Sequence, residues 1–61
     1  MIIGLNLKSK IIDAIKYIES GKKTIAPVLD NNKLIGTISD GDIRRAILKG
    51  SSLEDHIEGV F

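Results

Sequence analysis

The residues best suited to chemistry lie in the segment 36–42, which gathers two glycines, two hydroxyls and two carboxylates. An apolar run precedes this segment and an amphipathic run follows it, so a strand is predicted to meet the start of a helix here. Backbone N–H groups at the start of a helix point into open space and attract anions. We therefore expect any binding function of the chain to lie at this junction.

A purely structural explanation competes with binding at the same junction. Ser39 precedes Asp42 by three residues, which is the spacing of a capping box with Ser39 at the N-cap. Asp40 and Asp42 also suit the positive end of the helix dipole, by a few tenths to about 1 kcal/mol. Capping alone accounts for these three side chains without a ligand.

The elements that must position this junction follow from the periodicity of apolar residues. Residues 9–20 are predicted as a helix, and residues 40–49 as a second helix that Gly50 ends. Residues 24–29 and 34–39 are predicted as strands of an antiparallel hairpin around a polar turn. The fold class is therefore α+β, with a small sheet packed against two helices. The apolar positions of these elements form the predicted core: Ile15, Ile18, Val28, Ile38, Ile43 and Ile47.

The two ends of the chain are less regular. Residues 1–8 are predicted to be extended, because Ile2, Ile3, Leu5 and Leu7 partly alternate with other residues. Residues 52–60 are expected to add one or two helical turns.

The run from Ala26 to Arg45 resembles the cystathionine-β-synthase (CBS) domain family. The typical core of that family is an apolar-Pro-Val-apolar-Asp strand, a polar turn, and then Leu-apolar-Gly-apolar-apolar-Thr/Ser-x-x-Asp-apolar. The chain matches it with Ala26-Pro27-Val28-Leu29-Asp30 and then Leu34-Ile35-Gly36-Thr37-Ile38-Ser39-Asp40-Gly41-Asp42-Ile43. The resemblance covers almost the whole chain and implies that residues 1–61 form a single CBS motif, half of a tandem CBS module.

The resemblance also implies a ligand. In nucleotide-binding members, the Thr/Ser and the final Asp of the motif contact the ligand, and these positions are Ser39 and Asp42 in this chain. A carboxylate suits a ribose because two adjacent hydroxyls can donate to its two oxygens. The implied ligands are AMP, ADP, ATP or S-adenosylmethionine, and no cofactor is required.

Further ligand contacts are expected around these two residues. The family binds adenine near the first strand, where this chain has Thr24, Ala26 and Pro27. Gly41 lets the backbone come close to a ligand or simply tightens the turn. Arg45 is expected to offset the negative charge at the helix start, or to be an ordinary exposed helix residue.

Composition excludes several other functions. The net charge of +1 and the scattered lysines argue against nucleic acid as a partner. The chain has no cysteine and a single histidine, so neither a disulfide framework nor a metal site is expected. No catalytic motif is present, so the chain itself is predicted not to be an enzyme. No segment is long enough to cross a membrane, and a cytoplasmic location is expected.

These features predict a regulatory module that senses an adenine nucleotide or related ligand in a cleft formed with a second CBS motif. The alternative is a ligand-free module that holds subunits together as a homodimer. The segment 35–45 looks particularly like CBS segments attached to sugar-nucleotide pyrophosphorylases and sugar-phosphate isomerases. The chain is therefore also interpreted as a possible fragment of a larger nucleotidyltransferase or isomerase.

Overall fold

A computed structural model of the chain describes residues 4–21 and 23–61. Their elements follow in the order α1 (Ile11–Gly21), β1 (Ile25–Asp30), β2 (Lys33–Ser39) and α2 (Asp40–Leu48). The two strands pair as an antiparallel hairpin. The predicted α+β fold is therefore confirmed, and the two predicted helices and two predicted strands are present with their bounds displaced by no more than two residues.

The hairpin turn depends on two asparagines that adopt left-handed backbone conformations. Asn31 has a φ of 52° and Asn32 a φ of 65°. Positive φ at both central residues is the geometry of a two-residue turn that matches the twist of the flanking strands, and asparagine tolerates it. The turn holds the register in which Ala26 lies opposite Ile38 and Val28 opposite Gly36.

The core lies on one face of the hairpin, beneath the two helices. Its buried members come from every element and from both flanking segments: Leu5, Ile11, Ala14, Ala26, Val28, Ile38, Ile43, Ala46 and Ile57. This set confirms the predicted burial of Val28, Ile38 and Ile43. Ile15 and Ile18 are only partly buried and pack against the cluster.

The predicted burial of Ile47 is wrong, because its side chain is 39% exposed. Helix α2 presents Ile43 and Ala46 to the core. Successive residues of an α-helix are rotated by about 100°, so Ile47 lies at the edge of the buried face rather than at its centre.

The residues before α1 add a short extended contact to the edge of β1. The N–H of Leu5 donates to the carbonyl of Pro27 at 2.9 Å, and the N–H of Leu29 donates to the carbonyl of Leu5 at 2.7 Å. Leu5 is buried by this contact. The predicted extended run is therefore confirmed at Leu5, residues 7 and 8 form a turn, and Ile2 and Ile3 lie outside the described residues.

The segment 51–61, named here the exit segment, caps the start of α1 instead of forming the predicted helical turns. The carbonyls of Asp55 and Leu53 accept hydrogen bonds from the N–H groups of Ile11 and Ile12, at 2.9 and 3.0 Å. These N–H groups have no partner within their own helix. Ile57 of the exit segment is completely buried, so the segment is part of the folded unit.

An ion pair also joins the exit segment to α1. Lys10 Nζ lies 2.8 Å from Glu54 Oε2, and the hydrogen bond that it donates to this carboxylate raises the pKa of Lys10 above its ordinary value. In the described ranges, no helix has both the length and the apolar character needed to cross a membrane.

Candidate functional site

The junction between β2 and α2 is a complete capping box, as the sequence predicts. Ser39 is the N-cap, with an extended backbone at φ −102° and ψ 165°. The N–H of Asp42 donates to Ser39 Oγ at 3.0 Å, and the N–H of Ser39 donates to Asp42 Oδ2 at 2.9 Å. These reciprocal bonds fix both side chains that the resemblance assigns to a ligand.

The second oxygen of the Asp42 carboxylate also has a partner. Arg45 Nη2 donates to Asp42 Oδ1 at 2.6 Å, one helical turn along α2. The hydrogen bond from the Ser39 N–H, reinforced by the Ser39 hydroxyl and by Arg45, holds the pKa of Asp42 below its usual value. Asp42 is therefore an ionised carboxylate whose side chain is still 28% exposed.

An open pocket of about 160 Å³ lies between α2 and the exit segment. The residues that line it are Asp42, Arg45, Ala46, Lys49, Ser51, Gly59 and Val60. Asp42 and its arginine partner thus border a concave surface that holds both a carboxylate and two cationic side chains.

The pocket carries a surplus of positive charge. Arg45 is paired with Asp42, and no carboxylate of the described residues lies within ion-pair distance of Lys49. Arg44, by contrast, pairs with Asp40 at 2.8 Å and does not line the pocket. Of the two neighbouring arginines, the fold therefore turns Arg45 toward the candidate site.

Two more predicted site residues lie at the same junction. The Arg45 guanidinium lies over Gly41, because a Cβ atom placed on this glycine would be 3.4 Å from Arg45 Nη1, an ordinary contact distance. The carbonyl of Thr24 accepts a hydrogen bond of 3.0 Å from the N–H of Asp40. This bond connects the start of β1 to the start of α2.

The other two predicted contacts lie further along β1. Pro27 is partly buried, and neither it nor Ala26 lines the pocket. Ala26 is completely buried in the core. It therefore has no atom at the surface that an adenine could contact.

The sequence reasoning missed five pocket residues: Ala46, Lys49, Ser51, Gly59 and Val60. Lys49 was detectable, because it follows Asp42 by seven residues and positions seven apart share one face of a helix. Ser51 and Gly59 carried no such signal. Their place in the pocket depends on how the exit segment folds back.

Comparison with known proteins places most of the chain in one sequence family. The family model of the CBS domain matches residues 2–49. An uncharacterized protein of Helicobacter pylori strain J99 is 48% identical over 44 residues, which are 67% of this chain and 13% of that protein. An uncharacterized protein of H. pylori strain 26695 is 48% identical over 40 residues, which are 62% of this chain and 12% of that protein.

The chain spans about an eighth of the length of these curated relatives. The exit segment, which closes the pocket and caps α1, lies beyond the residues that the family model matches.

Proposed function

Because the chain belongs to the CBS domain family, whose members are generally regulatory ligand-binding modules, we propose that it senses an adenine nucleotide or a related ligand. A CBS domain is a regulatory module rather than a catalytic one. The observation that carries the proposal is the ionised carboxylate of Asp42, fixed by Ser39 at the border of an open pocket.

The chemistry of this carboxylate supports a ribose as its partner. An ionised carboxylate is an acceptor only, and it forms its strongest bonds with donors that it can engage in pairs. The two adjacent hydroxyls of a ribose are such a pair. The surplus positive charge beside Asp42 favours a ligand that also carries a phosphate.

The size of the pocket supports a cleft completed by a second CBS motif. Pockets for drug-sized ligands begin at roughly 300 Å³, whereas this one measures about 160 Å³. It has room for one part of a nucleotide, and the remainder needs additional surface. We therefore propose that residues 1–61 are a single motif that acts as half of a tandem pair.

Thermal melting of the chain with AMP, ADP, ATP and S-adenosylmethionine tests this function. A ligand that binds only the folded state, at a hundred times its Kd, adds about 2.7 kcal/mol of stability. In a domain of this size such a gain raises the Tm by roughly 10 °C or more. Unchanged melting with all four compounds at millimolar concentration, under conditions in which the chain is dimeric, would rule out the sensing function.

A ligand-free association module is the second candidate, and exposed apolar residues of the hairpin favour it. Ile25, Leu34 and Ile35 are 47%, 61% and 44% exposed. Strand alternation places Ile25 opposite the face that the helices cover. Ile35 lies where a β-bulge interrupts the pairing of the two strands, and it is exposed there. A second copy or a second CBS motif would remove these side chains from water.

The short span of the chain within its relatives supports a third feature of the proposal, a larger parent protein. We propose a nucleotidyltransferase or an isomerase as that parent, with its catalytic domain outside these residues. The assignment would be supported if a full-length parent had one of these two activities. The nucleotide that stabilises this chain should then change the rate of that activity. The cytoplasmic location stays a prediction.

A further inference from the structure

Arg45 is bonded to one of the two Asp42 oxygens to which a ribose would donate. Asp42 Oδ2 accepts from the Ser39 N–H, and Asp42 Oδ1 accepts from Arg45 Nη2 at 2.6 Å. The first bond belongs to the helix cap and persists as long as α2 is capped. The second bond joins two side chains, and the Arg45 side chain is 65% exposed. Arg45 is therefore the partner that can leave.

The pocket offers Arg45 another partner when an anion is present. Lys49 and Ser51 line the same pocket as Arg45. Lys49 brings a positive charge that no carboxylate of the described chain neutralises, and serine contributes a hydroxyl donor. An arginine fork, an ammonium group and a hydroxyl together are a donor set that suits a phosphate.

We propose that Arg45, Lys49 and Ser51 form a phosphate subsite, and that Arg45 changes its partner from Asp42 to the phosphate when a nucleotide binds. The exchange frees Asp42 Oδ1 for one ribose hydroxyl. Asp42 Oδ2 keeps its bond in the helix cap and has a second lone pair for the other hydroxyl. This inference rests on the proposed function and names the ligand class as a nucleoside phosphate rather than a nucleoside.

Space and charge allow the exchange. The Arg45 guanidinium lies over Gly41, where a Cβ atom would already be at 3.4 Å. The Arg45 side chain is 65% exposed, so it can move without displacing a packed neighbour. The ribose hydroxyls then replace Arg45 as donors to Asp42, so neither charged group loses its hydrogen bonds when the ligand is bound.

Titration calorimetry with AMP, adenosine and inorganic phosphate separates the subsite from the ribose contact. Arg45→Gln is expected to weaken AMP binding by roughly ten- to a hundred-fold, because it removes a charged donor. The same change strengthens adenosine binding several-fold, since Asp42 is no longer occupied. Lys49→Gln is expected to weaken the binding of AMP about tenfold and to leave the binding of adenosine unchanged.

Arg44→Gln is the matched control, because Arg44 is the neighbouring arginine and pairs with Asp40 outside the pocket. It is expected to leave the binding of AMP and adenosine unchanged. If Lys49→Gln weakened the binding of AMP and of adenosine equally, the exchange would be overturned. It would also be overturned if Arg45→Gln weakened the binding of adenosine. If inorganic phosphate bound as tightly as AMP, the pocket would be a general anion site. That result would overturn the nucleotide subsite.

The two proposals fail in different ways. If the unaltered chain binds neither AMP nor adenosine, the proposed function fails and the subsite fails with it. If the chain binds AMP and adenosine equally, and Lys49→Gln changes neither, the proposed function stands and the subsite alone is overturned.

Discussion

Asp42 is the residue at which stability and the proposed ligand contact are most closely coupled. Its carboxylate accepts from the Ser39 N–H, and its own N–H donates to the Ser39 hydroxyl. Any substitution of Asp42 therefore alters the start of α2 as well as the pocket. Removal of a capping interaction of this kind costs up to about 1 kcal/mol, so binding measurements need a control with the same effect on the helix.

The pH dependence of stability provides a first test at the residue scale. Hydrogen bonds from Ser39 hold the pKa of Asp42 below its usual value in the folded chain. In the unfolded chain the pKa of an aspartate is about 3.9. The stabilisation by this carboxylate is therefore fully present above about pH 4, and it is lost as the pH falls through the lower pKa of the folded state.

Urea unfolding of the chain and of Asp42→Asn, measured from pH 7 to pH 2, checks this expectation. The asparagine does not ionise, so the difference in the free energy of unfolding should shrink below about pH 4. A difference that stays constant over the whole range would contradict the role assigned to Asp42.

The sequence predicted the capping box in full, because an N-cap serine and an acidic residue three positions later are a local pattern. It named Arg45 as a site residue, but it gave no reason why the helix face with Asp42 rather than the face with Asp40 should line a pocket. Each arginine is one turn from an aspartate, Arg44 from Asp40 and Arg45 from Asp42. Only the tertiary contact of α2 with the exit segment decides which of them lines a pocket.

At the scale of elements, the apolar residues of β2 and α2 differ in how deeply they are buried. Ile38 of β2 is completely buried, whereas Ile47 of α2 is 39% exposed. We expect Ile38→Ala to cost about 2–5 kcal/mol of unfolding free energy and Ile47→Ala about 1 kcal/mol or less. Urea unfolding measures both values. An equal cost for the two substitutions would mean that α2 packs with a different face.

The exit segment is expected to contribute to stability although it lies beyond the residues that the family model matches. Ile57 is completely buried, and Leu53 of the same segment is 43% exposed. Ile57→Ala should cost about 2–5 kcal/mol, and the matched control Leu53→Ala distinctly less. If Ile57→Ala left the Tm unchanged, the exit segment would not be part of the folded unit.

The helices and strands were predictable because their signals are local: apolar periodicity, the Asn31-Asn32 turn and the Ser39 cap. The exit segment was not, because its conformation depends on distant partners. Leu53 and Asp55 offer their carbonyls to N–H groups at the start of α1, and no local pattern announces such a contact. The same contact determines that Ser51 and Gly59 line the pocket.

On the scale of the whole molecule, the apolar outer face of the hairpin is the surface proposed for assembly. We expect sedimentation to show a homodimer at micromolar concentration, because a second copy would cover Ile25 and Ile35. Ile35→Glu should produce monomers, since it places a charge in that contact. Leu48 of α2 is 80% exposed, so Leu48→Glu is the control that leaves the dimer intact. A folded monomer of the unaltered chain would contradict this mode of assembly.

The most direct test of the nucleotide proposal is titration calorimetry of AMP against the unaltered chain, Asp42→Ala and Asp40→Ala. Both substitutions remove a carboxylate from the first turn of α2, but Asp40 pairs with Arg44 outside the pocket. We predict that Asp42→Ala weakens AMP binding by roughly ten- to a hundred-fold, and that Asp40→Ala leaves it unchanged or slightly tighter. Equal weakening by both substitutions, or no binding of AMP by the unaltered chain, would contradict a ribose contact at Asp42.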